Sequence, residues 1–193
     1  IVFGDAQYGT IDTDISAIKD TVDFGVQQGA YWVGVGDMID IMSPSNRDRW
    51  KVANLYDSVV QALEDRVVNL MGELCEILKP TRKRWIGLVE GHHLYEFNDG
   101  TTTETRIAQY LDAPYLGDCG LVELKMEYEP NPQRYARLNV WCAHGQGSGQ
   151  TVAAPMNLLE RLSSRFEADL YCIGHYSRPV VTMYDRIYKL GTR

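Results

Sequence analysis

The chain has 193 residues and 21.9 kDa, with 45% hydrophobic and 23% charged side chains, the composition of one globular domain with a full core. Twenty-six acidic against nineteen basic residues give a net charge of −7, which argues against a broad, sequence-blind hold on nucleic acid and against an anionic membrane surface. No apolar run approaches a membrane span, the opening IVFGDAQYG lacks a leader pattern, and the start at Ile1 rather than Met leaves room for residues ahead of it.

In chain order, Ile1 to Phe3 is a short apolar run ending at Gly4-Asp5. From Asp12 to Gln28 the spacing of Ile15, Ile18, Val22, Phe24 and Val26 predicts a helix, with Asp12, Thr13 or Asp14 as N-cap and Gly29 closing it. Tyr31 to Val35 reads as a buried strand running into Gly36-Asp37. After the turn-rich SPSNRDR, a long amphipathic helix is expected from Trp50 to Leu78, stopped by Pro80. Trp85 to Val89 is a third strand, leading into Glu90-Gly91-His92-His93. A short helix follows over Thr103 to Leu111, then strands Leu121 to Tyr128 and Tyr135 to Cys142 joined by EPNPQ. The glycine-rich GQGSGQ leads to a helix from Ala154 to Phe166, then a strand from Leu170 to Ile173 ending at Gly174-His175, and a hairpin between Pro179 and Leu190. There is no internal repeat, low-complexity tract or linker, so residues 1–193 form a single α/β domain with a mixed sheet.

Candidate polar residues gather at strand ends: Asp5 and Gln7, Asp37 and Asp40, His92 and His93, His144, and His175. The carboxyl edge of an open α/β sheet is where loops from distant positions converge on a ligand. All four histidines of the chain fall there. Carboxylates with several imidazoles suit a divalent transition metal. Each has a plainer reading. Asp5 alone is a turn or cap residue, Asp40 a cap or supporting group, and His144 and His175 singly are interior histidines; their parallel placement favours a metal.

The series Asp5-x-Gln7, Gly36-Asp37-x-x-Asp40, Gly91-His92-His93, His144-Gly145 and Gly174-His175-x-Ser177 resembles the calcineurin-like metallophosphoesterases, whose motifs read DxH, GDxxD, GNH(D/E), H and GHxH. The match spans nearly the whole chain, and the wording of WIGLVEGHH and HGQGSGQT looks most like the phage and prophage branch. The resemblance implies a four-layer fold, two facing mixed β-sheets flanked by helices. It implies hydrolysis of a phosphoester, a phosphodiester or nucleotide or nucleic-acid substrate, by metal-activated hydroxide, with His93 as general acid and Asp40 as a supporting carboxylate that does not itself bind metal. Asp37 would bridge two divalent ions, Mn²⁺ first, with Fe, Zn or Mg as alternatives. One ion would be completed by His92, His144 and His175, the other by Asp5, Gln7 and Ser177. His92 replaces an asparagine ligand with a competent imidazole, whereas Gln7 and Ser177 replace imidazoles with weak donors, and Leu94 stands where an acid usually follows. These departures also admit a non-catalytic binding or scaffold module.

The remaining features carry less. Cys75, Cys119, Cys142 and Cys172 have no CxxC spacing and are expected as reduced core thiols, in keeping with a cytoplasmic protein. The run Thr81-Arg82-Lys83-Arg84 is expected on a solvated face. The loop from Gly145 to Gln150 is either a phosphate cradle or a flexible connection, and Tyr95, Tyr176 and Arg178 are either substrate contacts or loop packing.

Overall fold

Short apolar runs bounded by glycine and separated by helices dictate the first half of the molecule. The structure, a computed structural model, describes residues 1–41, 56–147, 151–176 and 179–183. Strands β1 (Val2–Phe3), β2 (Trp32–Gly34) and β3 (Trp85–Leu88) form a parallel sheet in the order β1-β2-β3. Helix α1 (Ile15–Gln27) lies between β1 and β2, and α2 (Asp57–Leu78) precedes β3. Connections that carry a helix return the chain in the same direction, so this sheet is parallel throughout rather than mixed as expected.

Among the available caps Asp14 is the one used, its carboxylate accepting from the Ala17 N–H at 2.9 Å. Gly29, at φ +61°, follows the helix end. On α2 the buried positions Val67, Leu70, Leu74, Cys75 and Leu78 trace one helical face. The SPSNRDR stretch and the expected beginning of this helix at Trp50 lie outside the described residues. A 3₁₀ turn, Lys79–Thr81, then uses Pro80. Thr81 is buried there, accepting from the Trp85 indole N–H at 2.8 Å, while Arg82, Lys83 and Arg84 are exposed as anticipated.

Helix α3 (Thr103–Leu111) leads to β4 (Cys119–Tyr128) and β5 (Asn131–Ala143), an antiparallel pair. Helix α4 (Ala153–Arg165) precedes β6 (Leu170–Ile173), which pairs parallel to β5, so the second sheet is mixed, order β4-β5-β6. Strand β5 starts four residues earlier than Tyr135, at Asn131, which pairs with Tyr128 before a register shift to the Glu127–Tyr135 pair. No strand is assigned over residues 179–183, and the rest of the expected terminal hairpin lies outside the described residues.

The alternation of side chains along β2 joins the layers. Trp32 points to the helical side, packing with Phe3 and Trp85 at ring separations of 5.9 and 5.5 Å and with Ile18, Val22, Leu74 and Ile107 from the helices. Val33 and Val35 point the other way, into a second core with Val89, Val140, Cys142 and Cys172 that holds the two sheets together. On β5 the opposite alternation places Trp141 against Phe166, stacked at 4.2 Å, at the end of α4. Cys75, Cys142 and Cys172 are buried free thiols; Cys119 is exposed, contrary to expectation, because it opens the edge strand β4. Among the described residues no helix is long and apolar enough to cross a membrane.

Candidate metal centre

The loops after β1 and β2 are knitted side by side before any side chain is considered. Asp5 N–H donates to the Gly36 carbonyl at 2.9 Å, and Gln7 N–H to the Asp37 carbonyl at 3.0 Å. Both loops are bent tightly: Asp5, Gln7 and Asp37 have φ of +50°, +41° and +52°, and His175 beyond β6 has +72°. Only two other described non-glycine residues, Lys83 and Asp112, share that left-handed region. Such a conformation costs on the order of 1 kcal/mol per residue, so its concentration at these four positions marks a site whose geometry the fold enforces.

Glycine makes the next approach possible. A Cβ on Gly91 would collide with the Oδ1 and backbone N of Asp37, and one on Gly36, at φ +86°, would lie 2.7 Å from Gly91 Cα. With both side chains absent, the turn after β3 closes over Asp37, whose Oδ1 accepts from the backbone N–H groups of His92 (2.6 Å) and His93 (2.9 Å). Asp37 is only 1% exposed. Burial pushes its carboxyl up, but the His144 hydrogen bond, the His93 N–H and the charges of both imidazoles outweigh this and hold it at about 2.

His144 is the inward anchor. Its Nδ1 donates to the Val35 carbonyl at 2.7 Å, and its Nε2 lies 3.0 Å from Asp37 Oδ2. Burial pulls the imidazole down, yet the Asp37 contact, the Val35 carbonyl and the charge of Asp5 raise its pKa on balance. The rings of His92, His144 and His175 surround one point, with centroid separations of 4.7, 5.1 and 5.2 Å. The His92 pKa is lowered, by burial first and then by the neighbouring His144, which keeps its ring neutral and its lone pair available. His175 N–H donates to both Asp5 oxygens at 3.0 and 2.8 Å, and its Nε2 donates to the Gly147 carbonyl at 2.6 Å. The Asp5 carboxyl is raised by desolvation, opposed by the His175 N–H and the charge of His144.

Two overlapping sets of potential ligands result, His92 with His144 and His175, and Asp5 with Asp37 and His144, each with its ligand atoms within 4.8 Å of one another. Their chemistry fits a divalent transition metal. With Nδ1 committed to Val35, a neutral His144 presents the lone pair of Nε2 to a carboxylate oxygen 3.0 Å away, and two acceptors so placed need a proton or a cation between them.

His93 is held apart from these sets. Its Nδ1 is 2.7 Å from Asp40 Oδ2 and its Nε2 is 3.9 Å from Asp37 Oδ2, so Asp40 stands against an imidazole, while the residues 42–55 that a cap would serve lie outside the described residues. Gln7 is half-buried in the loop beside Asp5 and meets Asp37 through the backbone; Ser177 and Arg178 lie outside the described residues. Gly147 and Gln146 turn their carbonyls to His175 Nε2 and to the Tyr176 hydroxyl at 2.8 Å, so the described part of that loop braces the β6 turn. The remainder of the loop, residues 148–150, is outside the described residues. The Tyr95 ring packs on Phe97 at 5.1 Å.

Sequence reasoning missed Glu104 and Glu90. Glu104 is fully buried on α3, accepting from the Thr103 hydroxyl at 2.6 Å and from the Met38 N–H at 3.4 Å, beside Asp37 in the chain. Glu90 accepts from the hydroxyls of Tyr115 and Thr102. Its position at a strand end, next to Gly91-His92, was the available signal. Comparison of the chain with family models, with curated proteins and with solved structures returns no match.

Proposed function

We propose that the protein is a metal-dependent phosphoester hydrolase, and that two facing sheets with outer helices form the four-layer metallophosphoesterase arrangement which the motifs resemble. The observation that carries this is the convergence of Asp37, His92, His144 and His175 beside a separate His93–Asp40 pair. A divalent ion, Mn²⁺ before Fe, Zn or Mg, when bound there supplies Lewis-acid stabilisation of phosphoryl oxygen and activation of water. His144 is oriented for it by the Val35 carbonyl, and Asp37 by the two N–H groups that occupy Oδ1 and leave Oδ2 available. The Asp40 carboxylate, 2.7 Å from Nδ1 of His93, pairs with the charged imidazole and leaves Nε2 to carry the proton that the departing oxygen requires. A cytoplasmic location accords with the unbridged thiols.

The non-catalytic alternative draws on Gln7 and Ser177, which give the Asp5 side weaker donors than imidazole, and on Leu94. The His93–Asp40 pair weighs against it, since a scaffold has no use for an oriented proton donor. The two readings separate on hydrolysis of bis(4-nitrophenyl) phosphate with added Mn²⁺, alongside metal analysis. His93→Ala is expected to lower kcat by roughly 10²–10⁴-fold while metal content stays unchanged. No turnover of the parent protein with any divalent ion would sink the hydrolase reading.

A further inference from the structure

A cavity of about 380 Å³ opens beside the imidazole cluster, with His92 and His144 on one side and the α4–β5 layer on the other. That volume lies within the range of small-ligand sites, on the order of 300–1,000 Å³. Its walls differ in character. Trp141, fixed by its stack on Phe166, joins Leu158 and Leu162 of α4 in an apolar wall. Glu90 and Asp118 supply carboxylates, and among the described lining residues there is no lysine or arginine. Glu90 is fixed as an acceptor by the hydroxyls of Thr102 and Tyr115, and Asp118 sits exposed just before β4.

We propose that this cavity receives the non-phosphate portion of the substrate and selects it by charge. The group it takes is flat and apolar on one side, carries hydrogen-bond donors or a positive charge on its edge, and bears no negative charge. Glu90 and Asp118, with no lysine or arginine among the described lining residues, repel a phosphate or carboxylate beyond the one phosphate that the imidazole cluster would hold, while an amine or hydroxyl facing them is stabilised. A polynucleotide, which would place further phosphates along this wall, is thereby disfavoured relative to a small phosphoester. The inference rests on the hydrolase reading only for the word substrate; the charge selection belongs to the cavity itself.

Three phenols of one skeleton test it: tyramine (cationic), tyrosol (neutral) and 4-hydroxyphenylacetate (anionic). Binding to the full chain is followed by NMR titration in EDTA buffer, so that no ion at the imidazole cluster can ligate the carboxylate probe, and hydrolysis of their phenyl-O-phosphate esters is followed with Mn²⁺. Tyramine and tyrosol are expected to bind at least tenfold more tightly than 4-hydroxyphenylacetate, with the same order in kcat/KM for the esters. Asp118→Lys, at an exposed position outside the ligand sets, is expected to reduce the preference for tyramine over the anion at least tenfold; Leu162→Lys is a second variant with the same expected direction. Equal affinity for the three probes, or a preference that neither variant alters, overturns the assignment whatever the hydrolysis assay gives. Discrimination in binding with no ester hydrolysed upholds the cavity and overturns the hydrolase reading instead.

Discussion

At the scale of single residues, His144 and Gly91 decide whether the centre exists. His144 belongs to both potential ligand sets, whereas His92 belongs to one and Asp5 to the other. His144→Ala is therefore expected to abolish tight binding of Zn²⁺ or Mn²⁺ in equilibrium dialysis, while Asp5→Ala leaves the three-imidazole set able to bind one ion. Equal losses from both substitutions would contradict the overlapping arrangement. Gly91→Ala pushes a methyl group into Asp37 and should cost about 1–3 kcal/mol in urea denaturation along with the metal affinity, because the turn must move off the carboxylate. The strand-end histidines and Asp37 were legible as a set because polar residues following apolar runs stand out against the period of the strand. Their supports were not. The Val35 carbonyl that orients His144 lies 109 positions away and carries no side-chain signature. Asp40 was read as a structural carboxylate, since nothing in GDxxD says that the second acid faces an imidazole from another loop.

At the scale of elements, α3 shows both what sequence conveys and what it withholds. Its bounds are those the sequence suggests, because Thr102 and Thr105 form a reciprocal cap, with Thr105 N–H to Thr102 Oγ1 at 3.2 Å and Thr102 N–H to Thr105 Oγ1 at 2.7 Å. Glu104, between them, reads as an acid complementing the helix dipole, yet it faces the interior. Burial raises its carboxyl from 4.5 to about 6, only partly offset by hydrogen bonds from the Thr103 hydroxyl and backbone N–H groups, including that of Met38. The folded state thus holds the proton more tightly than the unfolded chain. The resulting contribution, about 2 kcal/mol, is fully present below pH 4.5 and is lost as pH rises through about 6. Glu104→Gln should remove that dependence, so its stability relative to the parent is expected to improve between pH 5 and pH 7.5 in urea titrations. A pH-independent difference between the two proteins would show that Glu104 ionises freely. Helix α2 is simpler: Leu74, wholly buried at the meeting of helices and sheet, should cost roughly 2–5 kcal/mol as Leu74→Ala, with the candidate centre intact at low temperature.

At the scale of the whole molecule, the centre is assembled from two sheets. Asp5, Asp37 and His92 follow strands of the parallel sheet, and His144 and His175 follow strands of the mixed one. An ion bound by both sheets in the folded state, and by neither in the unfolded chain, must raise the melting temperature. Saturating Mn²⁺ at 100 times its Kd is expected to add about 2.7 kcal/mol, and EDTA to remove it, as read by calorimetry. The α/β class was legible from the alternation of periods, whereas two sheets were expected only through the family resemblance and not from the pattern itself. Strand runs of two to four residues identify themselves as buried without naming their neighbours, and the choice of partner rests on valines and thiols meeting across a distance in sequence. The parallel order of the first sheet follows from helical crossovers, which were visible in the sequence.

The paired hydrogen bonds from His175 N–H to Asp5 span 170 positions. A contact so remote along the chain closes a very large loop, and its entropic cost is met only after the intervening strands have already brought the two loops together. Capture of an ion by the three imidazoles therefore cannot precede the docking of the strand that carries His175. On the ribosome, a growing chain that ends short of His175 already contains Asp5, Asp37, His92 and His144 but lacks the third imidazole. Were an ion held by all three imidazoles, its retention would date the moment at which the two sheets have come into register.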